Sequence, residues 1–251
     1  AQRGAPLPPP DRWGRGVTAK MAAEDGMRVV AVDDEREPLA TEALELLATS
    51  IGDVQPVNDL LSEIEERRRG MPSGGDAHLL AMVDDGGRVA AAAAGTYLEG
   101  VNAGFITYLA VRKDLRGALL GRGLRGHLVE SIRAEARRKY GADPAWVVGE
   151  VRSGSPWLQT LVRAGQVIPF DFPYFHPWMP RRSEGKYVLY REPLADGRAE
   201  LPAQEVVRLV YAIWRRAYRI RFPLQSETFC YMIDRLESAG TIGAHPDFPT
   251  D

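Results

Sequence analysis

Two β-prone runs joined by four turn residues constrain this chain more than any other feature. Residues 78–83 and 88–97 are separated by Asp84, Asp85, Gly86 and Gly87, and such turn chemistry between apolar runs favours antiparallel pairing. Gly100 to Gly104 supply another turn, and residues 105–111 are again rich in aromatic and β-branched side chains. The three runs predict a meander. After Val111 the period changes: Leu120, Leu124, Leu128 and Ile132 recur at helical spacing as far as Tyr140, where Gly141 is the expected stop.

Weaker elements surround this centre. Residues 28–32 form a short β-branched run, and residues 38–51 place Leu39, Ala43, Leu46 and Leu47 on one helical face. Residues 58–69 give a second amphipathic helix with Leu60, Leu61 and Ile64 inward, ended by Gly70 and followed by a mobile loop at 71–76. Further on, residues 146–151 read as a core strand, and residues 156–164 as a short helix with Ser155 at the N-cap and Pro156 at the first helical position. Residues 167–170 and 186–190 are the last strand candidates. Beyond Pro193 the pattern is helical, carried by Val206, Leu209, Val210, Ile213 and Trp214 and then by Phe229, Met232, Ile233 and Leu236 before Gly240. Three units are therefore expected: a flexible tail over 1–26, rich in proline and glycine, a domain over 27–195, and a helical extension over 196–251.

Charge and cysteine content narrow the function classes. The 32 basic and 34 acidic residues nearly cancel, so no global field steers the chain toward nucleic acid or an anionic membrane. No apolar run reaches the length of a bilayer span, and the tail lacks the apolar core of a secretory signal. Cys230 is the only cysteine of 251 residues, which excludes an internal disulfide framework and fits a reducing compartment. Cytoplasm is the expected location, with no membrane or nucleic-acid partner. His78, His127, His176 and His245 show no metal-ligand spacing, so no metal is implied. Arg215, Arg216, Arg219 and Arg221 beside Trp214 and Tyr218 could form a nucleic-acid patch, but a solvated helix face is the favoured reading. Cys230 falls among apolar helix positions, where packing is favoured over a reactive role.

The junction between strand and central helix carries the chemistry. A strand, a glycine-bearing turn and a helix leave backbone N–H groups unpaired at the helix start, where the dipole also favours an anion. Gly117, Gly121 and Gly123 sit there, with Arg116 and Arg122 able to add charge-assisted contacts. Gly121, Gly123 and Gly126 formally match a dinucleotide fingerprint, but that motif comes directly off a strand in a βαβ unit. Here residues 112–120 intervene and a meander precedes. A nucleoside-triphosphate loop needs Lys and Ser/Thr after its last glycine, whereas Gly121 is followed by Arg122 and Gly123.

With Val111, Arg116 and Gly121 at these spacings, the chain resembles the GNAT superfamily of acyl-CoA-dependent N-acetyltransferases from about Met27 to Pro193. The family pattern has a strand ending in Val, four residues, then Arg/Gln-x-x-Gly-x-Gly/Ala opening the long helix. The resemblance implies an α/β GNAT fold: a mixed, mostly antiparallel sheet flanked by helices, here with a C-terminal helical extension. It implies acetyl-CoA as cofactor. Leu109, Ala110 and Val111 would hold pantetheine, and Arg116, Gly117, Ala118, Leu119, Leu120, Gly121, Arg122 and Gly123 the pyrophosphate. Leu119 departs from the pattern, standing where the first family glycine belongs. A shift of two residues would use Gly121 and Gly123 instead and lose Arg116, so two registers of the phosphate turn stay open.

Glu150, Val151 and Arg152, followed by Ser155 and a short helix, look like the end of the fifth family strand. In ribosomal-protein N-terminal alanine acetyltransferases a Glu in a similar Glu-Val-Arg run is the general base, which makes Glu150 the base candidate; pairing with Arg152 or a surface Arg is the structural alternative. Those enzymes place a tyrosine acid twelve residues further on, and this chain has Val162 there. Tyr174 and Tyr108 are the replacement candidates. Tyr174 belongs to an aromatic segment, 170–178, that lines a cleft or packs a core. The base of histone-type members would fall at Phe105, which cannot serve. The implied acceptor is a primary amine, and the extension either completes the substrate cleft or forms a homodimer contact. A rival class is a CoA-binding or interaction protein that kept the fold without catalysis.

Overall fold

The computed structural model describes residues 21–24, 26–52, 54–71, 76–116, 119–177 and 179–248. Residues 1–20 of the expected tail, residues 72–75 of the expected loop, Trp178, and Gly117 and Ala118 of the expected phosphate turn lie outside them.

Eight strands form one sheet: β1 (Met21–Glu24), β2 (Met27–Ala31), β3 (Asp76–Val83), β4 (Val89–Leu98), β5 (Ala103–Val111), β6 (Trp146–Arg152), β7 (Ile168–Pro169) and β8 (Tyr187–Pro193). Their order is β1-β2-β3-β4-β5-β6-β8-β7. Among the described strands only β5 and β6 run parallel, because the chain between them includes a long crossover helix. The meander expected from the 84–87 turn is present, with Leu80 opposite Ala93 and Ala93 opposite Leu109. Of the segment expected as a tail, residues 21–24 form β1, which pairs antiparallel with β2.

Helices cover both faces. On one face α1 (Pro38–Ser50), α2 (Val57–Arg68), α5 (Ala203–Ala212) and α6 (Glu227–Ala239) pack. On the other lies α3 (Leu120–Tyr140), whose Leu124, Leu128, Val129 and Ile132 meet Leu80, Ala93, Ile106 and Val147. Gly141 ends α3 with φ +75°, a left-handed conformation that glycine adopts without a Cβ clash. The buried stripe of α1 is Ala40, Ala43, Leu44 and Leu47. Leu39 and Leu46, expected inward, are only partly buried, since the 3.6-residue period that aligns Ala43 with Leu47 rotates both away. α4 (Pro156–Arg163) packs Leu158, Leu161 and Val162 against Val188 and Tyr190 of β8. Ser155 is at its N-cap as expected, but its side chain makes no capping bond.

The extension adds its helices to the main core. Val206, Leu209, Ile213, Trp214, Phe229 and Met232 join Phe105, Val148 and Leu189 in one cluster. A short ribbon of β9 (Leu201–Pro202) and β10 (Thr241–Ile242) fastens the start of α5 to the end of α6. Ser226 caps α6 by accepting a hydrogen bond from Phe229 N. After α5, residues Ile213–Ala217 form a π-helical turn in which Tyr218 N donates to Ile213 O.

Candidate active site

β5 and β6 pair only from Ala103 with Trp146 to Ile106 with Gly149. Beyond that point they separate: β6 continues against β8 and β5 against β4. Thr107 and Glu150 are therefore the first residues past the apex of an open wedge. Directly after β5, Arg112 N donates to Ala90 O of the strand opposite. Successive residues of a strand point their N–H and C=O groups to opposite sides, so Ala110 faces β4 while Leu109 and Val111 turn theirs into the wedge. Of the three residues expected to hold pantetheine, two thus present main-chain groups there, and Ala110 serves as the link between them.

A bulge also reshapes β5. Ala94 pairs with Tyr108 and Gly95 with Ile106, leaving Thr107 as the extra residue. An extra residue breaks the side-chain alternation, so Thr107 and Tyr108 both face the α1–α2 side, Tyr108 within the larger core and Thr107 beside Leu44, Leu60 and Ile64.

The helix start sits at the mouth of the wedge. Gly123 N donates to Leu119 O at 3.0 Å, so the amides of Leu120, Gly121 and Arg122 precede the helical ladder. A Cβ at Gly121 would meet Val111 Cγ2 at 3.3 Å and Leu109 Cδ2 at 3.4 Å; glycine lets the helix start lie close to the strand end. Beyond its chain neighbours and the backbone of its own helix, no atom of the described residues lies within 4 Å of a Cβ built at Gly123. Arg116 is exposed and its Nε donates to Val111 O at 3.5 Å, which anchors the guanidinium beside the strand end. Leu119, where the family has glycine, is 77% exposed and sits at the N-cap.

Glu150 lies on the α1–α2 face with a side chain only 6% exposed. Tyr218 Oη donates to Glu150 Oε1 at 2.6 Å, and His176 Nδ1 lies 3.2 Å from the same oxygen. Glu150 Oε2 is enclosed with no hydrogen bond among the described residues. The Tyr218 ring packs against Phe105 and His176 at centroid separations of 5.7 and 5.0 Å, and His176 against Tyr187 at 5.3 Å. Tyr174, 1% exposed, pairs in a bridge with Tyr187 and adjoins Glu150. Burial first, and the Glu150 carboxylate second, push the Tyr174 and Tyr218 hydroxyls well above the ordinary tyrosine range, so both remain protonated. Tyr108 stands nearby, its Oη accepting a hydrogen bond from Gln55 N at 3.1 Å.

The expected catalytic residues Glu150, Tyr174 and Tyr108 thus share one face with the wedge apex. Sequence reading missed Tyr218. Its only sequence signal is the four-residue spacing from Trp214, and a π-helical turn, which has more residues per turn than an α-helix, intervenes. Val162 packs into the α4 cluster and carries no polar function. Among the described residues no group of three His, Cys, Asp or Glu side chains could hold a metal, and no described helix is long and apolar enough to cross a membrane. The arginine group divides: Arg219 pairs with Glu66 and Glu63, Arg221 lies over Phe222, and Arg216 is exposed. Cys230 Sγ is half-buried, bonded to Leu224 O.

Comparison with known proteins places this architecture. No family model and no curated protein matches the sequence. Solved structures do. A candidate acetyltransferase from Acinetobacter baylyi ADP1 is 14% identical, with 68% of this chain and 94% of that one covered at a TM-score of 0.50. The ribosomal-protein-S18-alanine N-acetyltransferase from Escherichia coli is 15% identical over 68% and 96% of the two chains, TM-score 0.48. A candidate acetyltransferase of the GNAT family from Desulfovibrio desulfuricans is 17% identical over 66% and 99%, TM-score 0.48. The chain adopts the GNAT fold, as its sequence leads one to expect.

Proposed function

We propose that the protein transfers an acetyl group from acetyl-CoA to a primary amine. The wedge between β5 and β6, with α3 starting at its mouth and the enclosed Glu150 carboxylate at its apex, is the observation that carries this reading. The residues fit the cofactor. Leu109 and Val111 turn main-chain groups into the wedge for a pantetheine arm, Val111 O also accepting from Arg116 Nε, with Ala110 holding the strand to β4. The amides of Leu120, Gly121 and Arg122 suit a pyrophosphate, and Arg116 and Arg122 add charge. Because Gly123 N is already bonded to Leu119 O, the register that keeps Arg116 and uses the backbone from Leu119 onward is favoured over the one shifted to Gly121 and Gly123. The empty space at Gly123 accommodates the ligand's bulk. Gly117 and Ala118 complete the turn in this proposal.

When bound, acetyl-CoA supplies the activated thioester. An amine must lose its proton to act as a nucleophile, and Glu150 Oε2, which has no partner of its own, is the atom placed to take it directly or through water. Tyr218 holds Oε1 by a hydrogen bond and fixes the carboxylate's orientation, with His176 Nδ1 standing 3.2 Å from the same oxygen. Tyr218 Oη is the acid that Val162 cannot provide, and the 2.6 Å bond to Glu150 lets it recover a proton from the base. Tyr174 and Tyr108 shape the same pocket.

A second reading, a CoA-binding protein of this fold without turnover, draws support from the depth at which Glu150 is sealed. One experiment separates the two. Release of CoA across a panel of amines supports acetyl transfer, and Glu150→Gln should keep acetyl-CoA binding while lowering turnover at least about a hundredfold. Acetyl-CoA binding with no turnover for any amine supports the second reading.

A further inference from the structure

Tyr218 reaches Glu150 from the end of a helix, and the residue after it holds an uncommon conformation. Arg219 has φ +56°, a left-handed backbone that glycine adopts freely and that a side chain makes costly. The chain reverses at this point: Tyr218 N donates to Ile213 O and Ile220 N to Trp214 O at 2.9 Å. Glycine is the usual residue at such a helix end. An arginine there needs contacts of its own to offset the cost.

Those contacts lie on α2. Arg219 Nη2 donates to Glu66 Oε2, and Arg219 Nε stands 3.7 Å from Glu63 Oε1. The two carboxylates are three positions apart in one helix, the spacing that puts side chains on a common face, so a single guanidinium spans both. All three side chains are partly buried, which spares the pairs some of the screening that weakens ion pairs in open solvent. The anchor is itself fixed, because Leu60 and Ile64 bury the other face of α2 in the main core.

At the far end of this linkage is the proposed acid. Consecutive Cα atoms stand about 3.8 Å apart across a trans peptide, so a clamp on Arg219 also holds the backbone from which Tyr218 Oη donates to Glu150 Oε1 at 2.6 Å. We infer that Arg219 is a positioning residue, which ties the end of the π-helical turn to Glu66 and Glu63 and thereby keeps Tyr218 Oη on the Glu150 carboxylate. The inference rests on the acetyl-transfer reading for its effect on rate, whereas the linkage from α2 to Tyr218 does not depend on turnover.

A double-mutant cycle tests this. Arg219→Gly removes the clamp but accepts the left-handed turn. It should lower kcat at least about tenfold while leaving KM for acetyl-CoA within about twofold, since only the acid and base are displaced. In a Tyr218→Phe background the same change should cost less than about twofold. Arg219→Lys should recover part of the loss, and Glu66→Gln should reproduce much of it. Turnover is followed as CoA release with the amine that the parent acetylates fastest, and thermal unfolding checks that each variant folds. Urea unfolding reads the same cycle without turnover: the midpoint shift caused by Arg219→Gly should be smaller once Tyr218 is phenylalanine. Equal losses in the two backgrounds by both readouts, or a folded Arg219→Gly variant with the parent's kcat, would overturn the inference. Coupled midpoints in a protein that acetylates no amine would instead refute acetyl transfer and leave the linkage standing.

Discussion

Replacing Glu63 with glutamine should stabilise the protein, by an amount set by pH. Burial holds the Glu63 carboxyl at about 7 against an ordinary value of 4.5. The native state therefore binds a proton that the unfolded chain releases across this window, and unfolding free energy falls as pH rises through it. The contribution is fully present below 4.5 and lost above about 7. At about 1.4 kcal/mol for each tenfold change in proton affinity, the penalty carried by the ionised carboxylate at neutral and alkaline pH is at most about 3 kcal/mol. The side chain is 17% exposed, so solvent relieves only a small part of it. Glutamine is neutral throughout. The variant should match the parent near pH 5 and exceed it by about 1–3 kcal/mol near pH 8. Urea unfolding at several pH values across that range, fitted with a common slope against denaturant, measures the difference directly. A stability difference that does not change with pH, or a variant less stable than the parent near pH 8, would refute the argument.

Three further outcomes follow from packing and charge. Arg125 is 3% exposed and pairs with Glu192 at 2.5 Å, so Arg125→Ala should cost about 3–5 kcal/mol by stranding a carboxylate, and the double change with Glu192→Leu should recover much of it in denaturant unfolding. A Cβ at Gly104 would lie 2.6 Å from Ile132 Cγ2 and 3.0 Å from Val147 Cγ2; Gly104→Ala should lower stability by about 1–3 kcal/mol, read as a shifted denaturation midpoint. A chain stopped after Ala195 loses Val206, Leu209, Ile213, Trp214, Phe229 and Met232 from the main core. At about 1.5–3 kcal/mol for each buried side chain that loss matches a whole domain's net stability, so the shortened chain should show no cooperative unfolding by circular dichroism.

The legible parts of this fold were those written in local signals. Asp84 to Gly87 announced the antiparallel turn, the leucine period of α3 and its Gly141 stop fixed the central helix, and the spacing from Val111 to Gly121 placed the helix start at the end of β5. Tertiary features had no local signature. The bulge at Thr107 is a property of how β4 and β5 pair, since residues 105–111 alone alternate in no way that singles it out. The extension read as appended because its apolar face shows that something must be buried, not what covers it. The proposed role of Tyr218 was hidden for the same reason: it is defined by a partner far away in sequence, Glu150.

That dependence on distant partners has a consequence for how the site is built. In the proposed chemistry the base comes from β6 and the acid from the turn after α5. The π-helical turn joins them, holding Glu150 through Tyr218, placing Ala217 beside Leu44 and Ile64, and leading to Arg219 beside Glu63. A π turn carries an extra residue relative to an α-helix, which rotates whatever follows it. Regularising it would turn Tyr218 away from Glu150 and Arg219 away from Glu63 together. Deleting one residue within 213–217 should therefore lower turnover more than Tyr218→Phe, which removes the proposed acid and one bond to Glu150 but leaves the turn in place; turnover of the two folded variants measures the difference.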